Sequence, residues 1–458
     1  MKYFILIIIL IVISFSSIYA QPQQLSLEDC IQIALKGNTS IIINKNINES
    51  SEEDVTASYS GILPFIDLSA SSGRYEAGAR EVEQDVPVIL PDSTVVVKRT
   101  VITQDPYLTD FNNLGVSVNQ NLFDGGEWWQ AIKYAKSQKR SSDYNLVSII
   151  NSTVLSVQEA FFNLLKQQKL LEVNQLAVTR SEDQLNKTQK MFELGAVAKV
   201  DVFRSKVNLG NDKIQMLLQQ NAVLTAKHTL KLVMGQDPQT EFEIKPEFEL
   251  TQYFKNVDEL YGQAVEMNPD LKKEEEDVNS YDLTVSRSYA VLWPALSAFF
   301  SYDRRNEGIE RVYTGWDKNW SMNYGLSLRL NLFNGFNDKV RIQKNKLAMR
   351  NAQQTLEESK RILKSEIITL VDNFNSYLNI IDINEENLEA SKEEYRLAEE
   401  RYRIGSGTAL EVREAQVNLT RAEETLVAAQ YNARMTQAQV ERIKQGFKNY
   451  CTSSFRLV

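Results

Sequence analysis

Apolar and polar positions follow two different periods along this chain, and each period occurs twice. Leu114, Val116, Val118 and Leu122 alternate with Gly115, Ser117, Asn119 and Asn121. Tyr324, Leu326, Leu328, Leu330 and Leu332 alternate likewise with Gly325, Ser327, Arg329 and Asn331. Each run has a partner upstream: Ile66, Leu68 and Ala70 in one case, Leu296, Ala298, Phe300 and Tyr302 in the other. A period of two predicts strands with one apolar and one wet face. Pro64 and Pro294 precede the two strand pairs and end the helices before them.

Past each second strand the period lengthens. Val147, Ile150, Val154, Val157, Phe161, Leu164 and Leu171 fall at steps of three and four, with one position skipped before the last. Leu363, Ile367, Leu370, Phe374, Tyr377 and Ile381 do the same, which is coiled-coil spacing. A proline-free run of about seventy residues makes a helix of roughly 100 Å, stable only when packed along its length. The helices that return are small-faced: Ala415, Leu419, Ala422, Leu426, Ala429 and Ala433 keep the same steps and suit close packing in a wall.

The two halves are one unit written twice. Asn121-Leu122-Phe123-Asp124-Gly125 returns as Asn331-Leu332-Phe333-Asn334-Gly335, and Leu194-Gly195 returns as Ile404-Gly405. Upstream of the strands, Ser26 with Asp29 predicts a capping box, Gly37-Asn38 a stop, and longer helices are expected over 39–60 and 269–290. Asn256, Glu259 and Asn268-Pro269 repeat that plan. Fixed-period self-similarity outranks local signals when a fold is read. The expected parts are a leader at 1–20, a first repeat at 21–235 and a second at 236–458. Strand pairs fall at about 62–122 and 294–332, and helical hairpins at about 124–234 and 334–446, before a C-terminal tail. The first repeat carries about twenty extra residues within 73–112, a solvent-facing hairpin end into which Val95-Val96-Val97 and Val101-Ile102 carry the strands.

Lys2, the apolar run from Ile5 and the small Ala20 form a secretory leader. After it no apolar stretch is long enough for a membrane helix, so entry into a membrane requires a β-barrel. Without Lys2 the 51 basic residues become 50 against 60 acidic, a net charge of −10 that does not resemble a nucleic-acid footprint. Cys30 and Cys451 lie at opposite ends; they bridge only if the termini meet, and otherwise are inert thiols. His228 is the single histidine, so no triad or zinc cluster exists, and neither a catalytic nor a metal or cofactor site is expected. Four strands per chain cannot enclose water, and open edges cannot sit in lipid. Several chains must pool their strands, apolar faces outward; three chains give twelve. Trp293, Phe299, Phe300, Tyr302, Tyr313, Trp316, Trp320 and Tyr324 suit an aromatic girdle.

On the duplicated plan, Asn268-Pro269, the strand-end Asn-Leu-Phe-Asn-Gly and the Gly-x-Gly-Thr-Ala-Leu-Glu-Val turn at 405–412, the chain resembles the TolC-type outer membrane factors. The resemblance implies a mostly α homotrimer. It has a twelve-stranded β-barrel in outer membrane lipid, a long α-barrel in the periplasm, and a belt fed by residues 236–255 and the tail. It implies a gated exit duct for efflux or type I secretion, with a periplasmic adaptor and an inner membrane pump of RND, ABC or MFS type as partners. Leu194, Gly195, Ile404 and Gly405 would form the adaptor-docking tip. Glu411 and Glu414, on one helical face, would ring the aperture, attract cations and repel one another's ionisation. Tyr402 and Asp201 match a latch, with Gly407 in place of the family's basic residue and Arg204 and Arg413 as substitutes. A non-transport coiled-coil scaffold of the envelope is the alternative, and it leaves the repeated strands unexplained.

Overall fold

The computed structural model describes residues 23–246, 248–250 and 256–444. The leader, Cys451, the tail and much of the 236–255 segment's end lie outside the described residues. The first repeat runs β1 (Gln23–Leu25), α1 (Leu27–Gly37), α2 (Thr39–Ser58), β2 (Phe65–Ala77), β3 (Arg80–Ile89), β4 (Val95–Gln104), β5 (Tyr107–Phe123), α3 (Glu127–Glu193) and α4 (Lys199–Val233). The second runs β6 (Phe242–Ile244), α5 (Val257–Met267), α6 (Pro269–Tyr289), β7 (Ala295–Asn306), the one-turn α7 (Glu310–Tyr313), β8 (Trp320–Arg329), α8 (Asn337–Arg403) and α9 (Ala409–Lys444). Two compact units cut across the repeats. One comprises Ser51–Gln138 with Val278–Ala352, and the other the remainder of the described chain.

The first unit is built on an antiparallel sheet in the order β2-β5-β7-β8. Its register sorts the side chains into two faces, because residues opposite one another point the same way. Ile66, Val118, Phe300 and Tyr324 form one rung, and Leu68, Val116, Tyr302 and Met322 the next. Between them lies the rung Asp67, Ser117, Ser301 and Asn323, on the opposite face. One face is therefore apolar across all four strands and the other wet. Phe299 departs from the expected girdle. It sits on the wet face opposite Gly325, where a Cβ would come within 3.0 Å of the Phe299 ring. An aromatic ring covers the bare backbone of a sheet glycine there.

The expectation of four strands per chain holds for this sheet but not for the chain, whose described residues hold eight strands. The strands do not run on into the insertion. Gly78-Ala79 and Asp105-Pro106 interrupt them, and among the described residues β3 and β4 pair only with each other. Pro106 lacks the N–H that a continuous ladder would use there.

The second unit is helical, and its local signals act as read. Ser26 N–H and Oγ donate to Asp29 Oδ2 (3.0 and 2.7 Å) while Asp29 N–H returns to Ser26 Oγ, closing the capping box. Asn38 and Asn268 each end one helix and start the next. Their amides bond back to Ala34 and Ala264, and their side chains accept from Ser40 and Asp270. α3 and α8 span 67 residues each. Ile150, Val154, Val157, Phe161 and Leu164 are all buried, as are Leu363, Ile367, Phe374 and Ile381. On α9, Ala415, Leu419, Ala429 and Ala433 are buried too. One contact was not legible in the periodicity: β1 pairs in parallel with β6, placing Leu25, Phe242 and Ile244 in a core with Cys30, Ile31, Phe161 and Leu230.

Candidate functional site

The two helical turns adopt the same closure. Gly195 N–H donates to Phe192 O (2.9 Å) and Ala196 N–H to Met191 O (2.8 Å); Gly405 and Ser406 repeat this onto Tyr402 O and Arg401 O (3.1 and 2.9 Å). These paired bonds need a left-handed residue, and the glycines supply it at φ +74° and +77°. The residues before them, Leu194 and Ile404, are 84% and 68% exposed. Two large apolar side chains thus stand at the turns with no cover from their own chain. The turns differ on their C-terminal sides. Thr408 Oγ1 accepts from Glu411 N–H (3.2 Å) and caps α9, whereas Ala198 leaves α4 without a side-chain cap. At Gly407 a Cβ would lie 3.0 Å from Arg401 Cβ and 3.1 Å from Tyr402 N. A side chain there would need Arg401 and the backbone at Tyr402 to give by a few tenths of an ångström.

The structure redistributes the latch candidates. Tyr402 is 4% exposed and its hydroxyl lies 3.2 Å from Thr188 Oγ1, a group that Gln184 and Ser205 also reach. Asp201 instead faces Arg204 on its own helix at 3.4 Å. Tyr402 and Asp201 therefore have separate partners within one chain. Arg413 leaves the turn altogether. Its guanidinium meets Asp212 with two bonds (2.6 and 2.9 Å), and Ser181 and Gln416 complete a half-buried cluster joining α3, α4 and α9. Two-pronged arginine–carboxylate contacts fix orientation as well as charge. Glu411 lies 3.8 Å from Arg401 Nη1, and Glu414 is exposed with no ion pair among the described residues.

Asp212, Thr188, Ser181 and Gln416 were not singled out from the sequence. A signal existed: Asn174, Ala177, Ser181, Gln184 and Thr188 continue the steps of three and four on α3, and all are buried. The apolar seam turns polar over its last turns, just before the glycine.

The model of the outer membrane efflux protein family matches residues 31–236 and 260–443. The chain belongs to that family. The outer membrane protein TolC of Vibrio cholerae is 21% identical over 393 residues, 85% of this efflux protein and 84% of the relative. The pyoverdine export outer membrane protein OpmQ of Pseudomonas aeruginosa is 21% identical over 335 residues, 72% and 68% of the two chains. Among solved structures, the CmeC outer membrane channel of Campylobacter jejuni superposes with a TM-score of 0.76 at 17% identity, covering 92% of this chain and 85% of CmeC. VceC of Vibrio cholerae gives 0.74 at 17%, covering 92% and 97%. The efflux protein's place is thus the outer membrane and its role the exit duct of efflux, in a family of channels and not of catalysts. No described helix is long and apolar enough to cross a membrane. No cluster of metal-binding side chains occurs among the described residues.

Proposed function

We propose that three copies of this efflux protein pool their sheets into one twelve-stranded barrel. The barrel is continued by a helical duct that is passive, gated and free of cofactors and catalysis. The observation that carries the reading is the open sheet. β2 and β8 are its ends, one face is apolar over the rungs of Ile66 and Leu68, and the other is wet there. Unpaired strand edges cannot stand in lipid, and a wet face cannot pack as a core. Sharing β2 and β8 edges between copies resolves both. A coiled-coil scaffold has no use for such a sheet.

The exposed row Val200, Phe203, Val207, Ile214, Leu217 and Leu224 on α4 keeps coiled-coil steps and supports helix packing between copies. The glycine turns, with Leu194 and Ile404 bare, are suited to a periplasmic adaptor. Energy would come from an inner membrane pump of the RND, ABC or MFS type. Glu411 and Glu414 would ring the aperture, and Tyr402, Asp201, Arg204 and Arg413 would hold it shut, the last through Asp212. Purified protein is expected to behave as a detergent-dependent trimer and to pass ions through a planar bilayer. A detergent-free monomer without conductance would overturn the reading.

A further inference from the structure

The first repeat carries a hairpin, β3–β4, for which the second has no counterpart. The second repeat joins β7 to β8 by residues 307–319, and that connection is held down on its own sheet. Arg304, fully buried, donates to the carbonyls of Arg311, Thr314 and Gly315 and stacks on Trp316 at 4.4 Å. A sheet strand pair therefore closes without a hairpin. Among the described residues β3 and β4 pair with nothing else, so both outer edges are open. Val88, Ile89, Val95, Val96, Val97 and Val101 are exposed. A lone two-stranded ribbon is marginal in water, and a long open edge recruits another strand.

We propose that the hairpins of three copies meet edge to edge as a six-stranded collar, β4 of each against β3 of the next. The proposal rests on the three-copy barrel above. Charge selects the occupant. β3 carries Glu81, Glu83 and Asp85 on one face and a single arginine on the other, while β4 carries no acid and sets Arg99 on the acids' face and Lys98 on the other. Within its own hairpin one ion pair, Asp85 with Arg99 at 3.1 Å, is made among the described residues. Around a closed ring the basic edge of one copy meets the acidic edge of its neighbour, antiparallel, at each of three equivalent contacts. Pro87 has no N–H and ends the usable edge of β3, leaving Arg80–Val86, the stretch that bears the acids. Gly78-Ala79 and Asp105-Pro106 lie between hairpin and sheet, and a Cβ at Gly78 would meet nothing within 4 Å. A collar narrower than the barrel requires this joint to bend toward the barrel axis. Six strands about 4.8 Å apart enclose a perimeter of roughly 29 Å, less than the eight-stranded barrels that side chains already fill. The collar is therefore a lid over the barrel mouth, at the hairpin end of the strands.

The test uses full-length protein with Thr100→Cys in a Cys451→Ser background, Cys30 being buried. In the collar, equivalent residues of neighbouring copies lie two strands, about 10 Å, apart. A bismaleimide of that reach is expected to link most chains of a purified trimer. Adding Glu81→Lys, Glu83→Lys and Asp85→Lys should abolish the link, and further adding Arg99→Glu, on the same face, should restore it. Separately, replacing residues 80–104 with a two-residue turn should speed the labelling of Ser301→Cys on the wet face by a bulky external maleimide severalfold. Intact trimers that do not cross-link, or that label no faster without the hairpin, overturn the collar and leave the shared barrel standing. Failure of the unmodified protein to form trimers overturns both.

Discussion

Single residues fix where helices stop and how closely they meet. Gly235 takes φ +70°, and a Cβ there would sit 2.2 Å from the carbonyl oxygen of Gly37, beside the bond from Asn38 Nδ2 to Val233 O (2.8 Å). Gly235→Ala is expected to cost about 1–3 kcal/mol from the strained backbone alone, more with the clash, read as a fall in thermal midpoint. Cys30 illustrates a second residue-scale effect. Burial pushes its thiol up to about 12. Only the thiolate is nucleophilic, so raising pH through the ordinary thiol range should leave Cys30 unreactive toward iodoacetamide, with labelling appearing on unfolding. Labelling of folded protein at pH 9 at the rate of a free thiol would refute this. The caps at Ser26, Asn38, Asn256 and Asn268 were readable in the sequence because capping is local chemistry. The alternation of Leu296, Ala298, Phe300 and Tyr302 already sets Phe299 on the other face, but its cover of Gly325 was not legible, since that needs the register between two strands.

Elements were legible where one period persists for many turns. The seams of α3 and α8 needed only the spacing of Val154, Phe161, Ile367 and Phe374. The β1–β6 pair escaped because three-residue strands far apart in sequence leave no periodic trace. The polar stretch of the α3 seam escaped because serines and threonines read as surface until their partners are known. That stretch makes a specific prediction. Asp212→Ala removes the partner of the half-buried Arg413 and should lower thermal stability by about 1–3 kcal/mol, discounted from a fully buried pair. Adding Arg413→Met should recover part of the loss, because the orphaned charge then disappears. A double variant no more stable than Asp212→Ala would argue against a coupled pair.

The whole molecule was legible through what one chain lacks. The shared barrel proposed above was argued from the sequence alone, on too few strands, open edges and a wet face. The tip chemistry was less legible, because Tyr402, Asp201 and Arg413 take partners, Thr188, Arg204 and Asp212, that the spacing along the chain does not announce. If Glu411 and Glu414 line a shared aperture, Glu411→Gln with Glu414→Gln should reduce cation over anion selectivity in bilayer recordings and weaken block by divalent cations. Unchanged selectivity and block would place these carboxylates on the outside of the helices.

The raw edges of β2 and β8 also carry a genetic consequence. If three copies share these edges, a subunit altered at either one does more than fail; it spoils the neighbours it joins. Made in equal amounts with normal subunits, it would leave roughly one assembly in eight free of the defect, by random mixing in a threefold ring. Such alleles should be dominant.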